Sequence, residues 1–209
     1  MVEKHKRGNW MTPFPNKKYK VIYPDPPWDY RDKRKGRGGA GNHYQTMSIK
    51  EIQALPVADL AADDCLLFIW CTFPLLPEGI DTIRAWGFKY KTLGFVWAKA
   101  NKRLYSILDL LGIAFIIKAG VSIFDPYMGG GSYTRSNAEV CLIGVKGRAC
   151  RLIKDKSIIN VVYAPRGRHS EKPAEVREKI ERLVGPGLPM IELFARKRAP
   201  GWDAWGNEV

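Results

Sequence analysis

Asp25, Pro26, Pro27 and Trp28 stand in a row directly after Tyr19–Pro24, a short run of β-branched and aromatic residues. Such a run predicts a strand, and an acid followed by two prolines predicts a rigid turn at its end. Each proline holds φ at about −65°, lacks an N–H, and biases the preceding residue toward extended geometry. The turn therefore presents acceptors. A carboxylate beside a main-chain carbonyl can take both N–H groups of an exocyclic amine on a flat base. The nitrogen is then drawn toward tetrahedral geometry, and its lone pair is freed to attack an electrophile. Trp28 can stack on the base or wall its pocket. The plainer reading of the same residues is a proline-rich turn with a half-buried tryptophan.

The elements that would position this turn follow from the hydrophobic pattern. Ser48 and Glu51 have capping-box spacing and open a short helix to about Leu55, stopped by Pro56. Cys65–Cys71 is a continuous apolar run of strand length, as expected of a strand covered on both faces. Ile80, Ile83 and Trp86 predict a helix ending at Gly87, and Phe88–Lys99 reads as one or two strands. Ser157–Ala164 reads as another. Pro173 opens a helix with Val176, Ile180, Leu183 and Val184 on one face and Gly185-Pro186 as its stop. Pro189–Ala195 is a closing strand. Strand, helix and strand in alternation imply an α/β fold with a parallel sheet. Residues 1–18 have no period and read as a basic N-terminal arm, leaving 19–209 as the domain. Trp202 and Trp205 in the last residues predict a docked terminus.

A glycine-rich basic loop, Asp29–Met47, hangs on the turn and carries Arg31, Lys33, Arg34, Lys35 and Arg37. It is read either as a loop that closes over a nucleotide and grips its phosphates, or as a solvated face. His43 and Tyr44 near its end are candidates for packing against a base. Leu104–Ile123 is strongly apolar but broken by Asp109 and Lys118. Its longest charge-free stretch, Leu110–Ile117, is far short of the ~20 residues that span a bilayer. It is read as a buried or subunit-contacting helix, which would make a homodimer.

A chain of 209 residues, 45% hydrophobic, suits one compact domain with a real core. The excess of 34 Lys+Arg over 21 Asp+Glu, a formal charge of +13, calls for a polyanionic partner. Charge alone does not separate DNA, RNA and an anionic membrane. Cys65, Cys71, Cys141 and Cys150 form no C-x-x-C pair, so no metal site is expected. Cys65 and Cys141 lie in apolar runs and read as buried thiols. The basic N-terminus has no apolar region after it, so no signal peptide is expected and the location is read as reducing and cytoplasmic.

Asp25-Pro26-Pro27-Trp28 resembles the signature of S-adenosylmethionine-dependent amino-methyltransferases, specifically the mRNA adenosine methyltransferase family with its bacterial and phage relatives. Cytosine-amine enzymes usually carry serine where this chain has Asp25, which points to adenine. His43–Met47, the stretch from Arg135 to Glu139, Arg168–Pro173 and the close from Ile191 to Glu208 resemble the same family in order. The resemblance implies a single Rossmann-like methyltransferase domain of permuted order, its mostly parallel sheet flanked by helices. It implies catalysis by Asp25, Pro26, Pro27 and Trp28. It also implies a cofactor, S-adenosylmethionine, held by Asp25, Lys172, Phe194, Arg196, Asn207 and Glu208. Nucleic acid would meet Arg135, Arg166 and Arg168 besides the basic loop. DNA is favoured over RNA, because the zinc fingers and partner-binding extensions of the mRNA enzymes are missing; an RNA enzyme and an inactive subunit of a heterodimer are the alternatives. Phe124–Ser132 resembles the cofactor loop of many DNA amino-methyltransferases. Such a loop should lead to a helix and an acid-tipped strand, whereas Val140–Lys146 ends in a base, so it is set aside.

Overall fold

The structure is a computed structural model and describes residues 13–29, 46–102, 126–129, 133–167 and 171–209. The readings of Arg31, Lys33, Arg34, Lys35, Arg37, His43, Tyr44, Arg168 and the 104–123 segment lie outside these residues. The strands are β1 (Tyr19–Pro24), β2 (Ala61–Cys71), β3 (Lys89–Ala100), β4 (Ala138–Lys146), β5 (Val161–Pro165), β6 (Met190–Leu193) and β7 (Asp203–Trp205). They form one seven-stranded sheet in the order β5-β3-β4-β2-β1-β6-β7. All neighbours pair in parallel except β4, which runs antiparallel to both β2 and β3.

The period-two alternation of side chains splits the core between the two faces of the sheet. Ile22 of β1 with Leu67 and Ile69 of β2 packs against helices α1 (Ile49–Gln53) and α2 (Leu76–Ala85) through Ile52 and Ile83. Val21 and Tyr23 with Leu66, Phe68 and Trp70 face helix α3 (Ala174–Val184) through Val176, Ile180 and Val184. Each buried aliphatic side chain stabilises this layering by roughly 1.5–3 kcal/mol before entropy is counted. The Ser48 capping box is formed in both directions, and α3 ends at Gly185, whose φ of 75° suits glycine alone.

Several elements differ from the sequence reading, among them the closing strand expected over Pro189–Ala195, which is β6, Met190–Leu193. α1 stops at Gln53, before Leu55, because Leu55 N–H bonds to Ile52 O and the chain turns into a 3-10 turn at Val57–Leu60. β2 begins at Ala61, before the apolar run, where Ala61 pairs with Tyr19 of β1 ahead of a register shift. β5 begins only at Val161, the stretch from Ser157 being taken up by a turn that Asp155 caps with its carboxylate. The docked terminus contains a short strand, β7, on the sheet edge.

β1 leads through α1 to β2 on one side of it, and its parallel neighbour β6 leads to β7 on the other. The connections diverge, so a crevice opens at the C-terminal ends of β1 and β6, the topological switch point where α/β sheets bind ligands.

Candidate active site

Asp25 sits at that crevice because β1 ends one residue before it and its N–H bonds to Leu193 O at the end of β6, at 3.3 Å. The turn beyond is pinned from the other side: Met47 N–H donates to Pro27 O at 2.8 Å, and Asp29 N–H donates to Met47 O at 3.1 Å. Trp28 N–H donates to Pro26 O at 2.8 Å, which leaves that carbonyl one lone pair for a further donor. Pro26 and Pro27 are buried. Trp28 is only 4% exposed, and its Nε1 donates to Trp70 O at 3.0 Å. It therefore builds the floor beneath the turn and leaves little ring face for open stacking.

A cavity of about 490 Å³ opens beside the turn, lined by Asp25, Lys172, Phe194, Arg196 and Glu208 among others. These are five of the six residues that the resemblance names for the cofactor. Asn207 is exposed next to Glu208 and does not line the cavity. The lining carries the acids Asp25, Glu171, Glu192 and Glu208 and the bases Lys172, Arg177, Arg196 and Lys197, an even mixture of charge. Such a lining fits a ligand with an ammonium, a carboxylate, ribose hydroxyls and a sulfonium, and the volume lies in the range of small-molecule sites. A larger hollow of about 940 Å³ lies at the other end of β6, around Leu188–Met190 and Gly201. It lies on the N-terminal side of the sheet, away from the Asp25 turn, and only the smaller cavity combines switch point, acid and cations.

Asp25 belongs to a partly buried ionic chain. Lys172 Nζ lies 2.7 Å from Asp25 Oδ2 and 3.3 Å from Glu139 Oε2, and Lys99 Nζ donates to Glu139 Oε1 at 2.6 Å. The cations also lie against indole faces, Lys172 at 5.6 Å from the Trp70 ring and Lys99 at 5.1 Å from the Trp97 ring. Burial pushes the Asp25 carboxyl above its usual value, and the neighbouring Lys172 only partly offsets this. Burial would also raise Glu139, but Lys172 and Lys99 outweigh it and hold the group low. Burial would lower Lys172, yet the two acids it bridges push it up. Asp25 is thus shifted up and Glu139 down, and Asp25 Oδ1 meets no donor among the described residues. A third acid, Glu192 on β6, is raised by burial despite the Arg177 guanidinium 2.6 Å away.

Several site residues escape a reading of local pattern. Glu139 reaches the crevice because β4 runs backwards, bringing its first residues to the edge where the parallel strands end; in register it faces Trp97 of β3. Lys99 comes from the end of β3. Thr72, directly after β2, has a buried Oγ1 with no hydrogen-bond partner among the described residues. An acid just ahead of an apolar run and a lysine just behind one were the available signals. Of the proposed nucleic-acid contacts, Arg135 is exposed ahead of β4, and Arg166 is exposed after β5 with its guanidinium 3.5 Å from the Tyr127 ring centroid. Both lie on the same sheet edge as Asp25. Pro126 and Tyr127, from the loop set aside above, pair with the end of β3 through Ala100 and Lys99, remote from β6 and β7.

The chain matches the MT-A70 family model over residues 19–112 and 116–208. It is 35% identical to the Type II methyltransferase M.MunI of Mycoplasma sp, with 93% of this chain and 79% of that protein covered. It is 31% identical to an N(6)-adenosine-methyltransferase MT-A70-like protein of Drosophila melanogaster, over 92% of this chain and 27% of that one. The human N(6)-adenosine-methyltransferase catalytic subunit METTL3 is 29% identical over 92% of this chain and 28% of its own length. The chain thus spans about a quarter of these animal relatives.

Proposed function

The chain belongs to the MT-A70 family, and from that premise we propose that it methylates the exocyclic N6 amine of adenine in DNA, with S-adenosylmethionine as donor. The observation that carries this reading is the Asp25 carboxylate: it ends β1 at the switch point, with one oxygen tied to Lys172 and the other without a donor among the described residues. Residues 19–209 act as the methyltransferase domain and 1–18 as its arm.

S-adenosylmethionine, when bound, supplies an electrophilic methyl group on a sulfonium. Asp25 Oδ1 and the remaining lone pair of Pro26 O accept the two amine protons and orient the nitrogen lone pair. Burial makes Asp25 a stronger acceptor than an exposed aspartate, and Lys172 keeps it ionised and in one rotamer. Trp28, locked to Trp70, keeps the turn rigid and closes the site from below. As the amine nitrogen takes the methyl group, the methyl–sulfur bond would break and the sulfur keep its electron pair as a neutral thioether; the amine proton would pass to water only after the new C–N bond forms, so positioning accounts for most of the acceleration. Lys172, Phe194, Arg196 and Glu208 hold the donor, with Asn207 beside them; the excess of basic residues holds the polyanion. In duplex DNA the adenine has to leave the stack to reach Asp25.

Similarity to a Type II methyltransferase across four fifths of its length favours DNA over RNA. Methyl incorporation from labelled S-adenosylmethionine into matched DNA and RNA oligonucleotides, followed by nucleoside analysis, tests the reading. N6-methyldeoxyadenosine is expected. Label in RNA alone would replace DNA by RNA as the substrate, and label in neither would leave a binding subunit.

A further inference from the structure

The residues ahead of β1 are not simply a tail leading into the strand. Phe14 lies 4.5 Å, centroid to centroid, from Trp205 at a tilt of 55°, and Trp205 meets Phe194 edge-on at 5.4 Å. Trp205 is 4% exposed, so the three rings form one stack that runs from the arm to the cavity. Lys17 Nζ bonds to Asp203 Oδ2 at 2.8 Å, and Tyr19 O–H donates to the same oxygen at 2.7 Å. Lys18 Nζ reaches Asp59 O at 2.7 Å, which ties the arm to the 3-10 turn before β2. The arm thus crosses from the β2 side of the sheet to β7, which it grips at both Asp203 and Trp205.

What the arm grips is the part of the chain that closes the cavity. Phe194 is the only non-glycine described residue with a positive φ, 62°. A bulky residue held there is strained and persists only when its surroundings over-determine it. Those surroundings are Trp205, whose carbonyl accepts from Ala195 N–H at 3.0 Å, and Gly206. A Cβ on Gly206 would collide with the backbone of Ala195 and approach that of Phe194. β7 is only three residues long and pairs with a single neighbour, so pairing alone holds it weakly. Glu208, on the cavity wall, follows immediately.

We propose that residues 13–18 are a clamp on the donor side of the active site. Phe14 serves as a positioning residue: it presses Trp205 onto Phe194 and so fixes the strained backbone at the end of β6 and the Glu208 tail. Phe14 touches neither reacting group. The inference rests on the cavity being the S-adenosylmethionine site.

The test is calorimetric titration of the full chain with S-adenosylmethionine for wild type, Phe14→Ala and Phe14→Leu, beside KM and kcat for both substrates. Phe14→Ala should weaken donor binding roughly 3- to 10-fold, the loss expected for one aromatic pair. KM for the donor should rise in step, while KM for DNA and kcat stay within about twofold. Phe14→Leu, which refills part of the ring's volume, should recover most of the loss and serves as the folded variant if Phe14→Ala does not fold. Wild type binding with no weakening in Phe14→Ala would overturn the clamp alone, as would equal rises in both KM values. A wild-type chain that binds no S-adenosylmethionine would overturn the site reading together with the clamp.

Discussion

Lys172→Met removes the central cation of the partly buried chain while keeping most of its volume and its packing on the Trp70 ring. Lys172 is 10% exposed and lies within 3.3 Å of both Asp25 and Glu139. Glu139 retains Lys99 at 2.6 Å, whereas for Asp25 the cationic influence that remains among the described residues is that of Arg196, weaker than Lys172's. Breaking a fully buried pair from one side costs ~3–5 kcal/mol, because the remaining charge is stranded; with the Asp25 side chain 24% exposed, the loss here should fall at or below the lower end of that range. The pH dependence identifies the cause. In the variant the folded-state pKa of Asp25 lies further above its unfolded value. Its ionised form then opposes folding, fully above the folded pKa and less as pH falls through it, until the penalty vanishes below the unfolded value of about 3.9. Glu139 acts in the same direction: its depressed pKa stabilises the wild type above the unfolded value of about 4.3 and is lost as pH falls through the folded one, and the variant holds less of this to lose. The stability gap between variant and wild type should therefore be widest near pH 8 and narrow toward pH 4, as pH falls through the Asp25 and then the Glu139 range. Urea denaturation at both pH values, with no cofactor added, measures it. Lys172→Arg, which keeps the charge, should lose less. An equal gap at the two pH values would assign the loss to packing, and a gap below about 1 kcal/mol at pH 8 would mean that the chain is solvated.

Asp25→Asn should lower kcat for methyl incorporation by on the order of 10² or more, since an amide offers a donor where acceptors are required. Activity within tenfold of wild type would remove Asp25 from the mechanism. Because the wild-type carboxyl is raised by burial, the acid limb of kcat/KM should lie above the ordinary aspartate value and disappear in this variant. Arg166→Ala should weaken DNA binding and reduce the slope of log K against log salt by about 0.9, the release of one counterion; an unchanged slope would place Arg166 off the DNA. Asp203→Asn should destabilise at neutral pH. Hydrogen bonds from Lys17 and Tyr19 hold the wild-type carboxyl below its usual value, so its contribution is present above about pH 4 and lost as pH falls through the folded pKa. Thermal melts of the two proteins should converge toward pH 3.

What was legible in the sequence was whatever a short window determines. The Asp25 turn follows from two prolines after a β-branched strand, α3 from its apolar spacing and stops, and the docked terminus from tryptophans that an exposed tail would not carry. Strand direction is set by no such window. Val140–Lys146 reads as an apolar strand either way, yet only its antiparallel insertion between β2 and β3 brings Glu139 to the edge where Asp25 sits. The ionic chain from Asp25 through Lys172 and Glu139 to Lys99 draws on residues 25, 99, 139 and 172, none a sequence neighbour of another. Its members look like ordinary surface charges until the sheet order is known. Phe194 is the same case in backbone form. Nothing in the string from Ile191 to Arg196 asks for a left-handed residue, and glycine would have been the expected choice. The conformation is imposed from outside, by Trp205 and by a glycine at 206 that lets the tail lie directly on Ala195. The parts of this site that sequence conceals are thus those created by contacts across the sheet, and they are the parts that set the charge on Asp25 and the shape of the cavity wall.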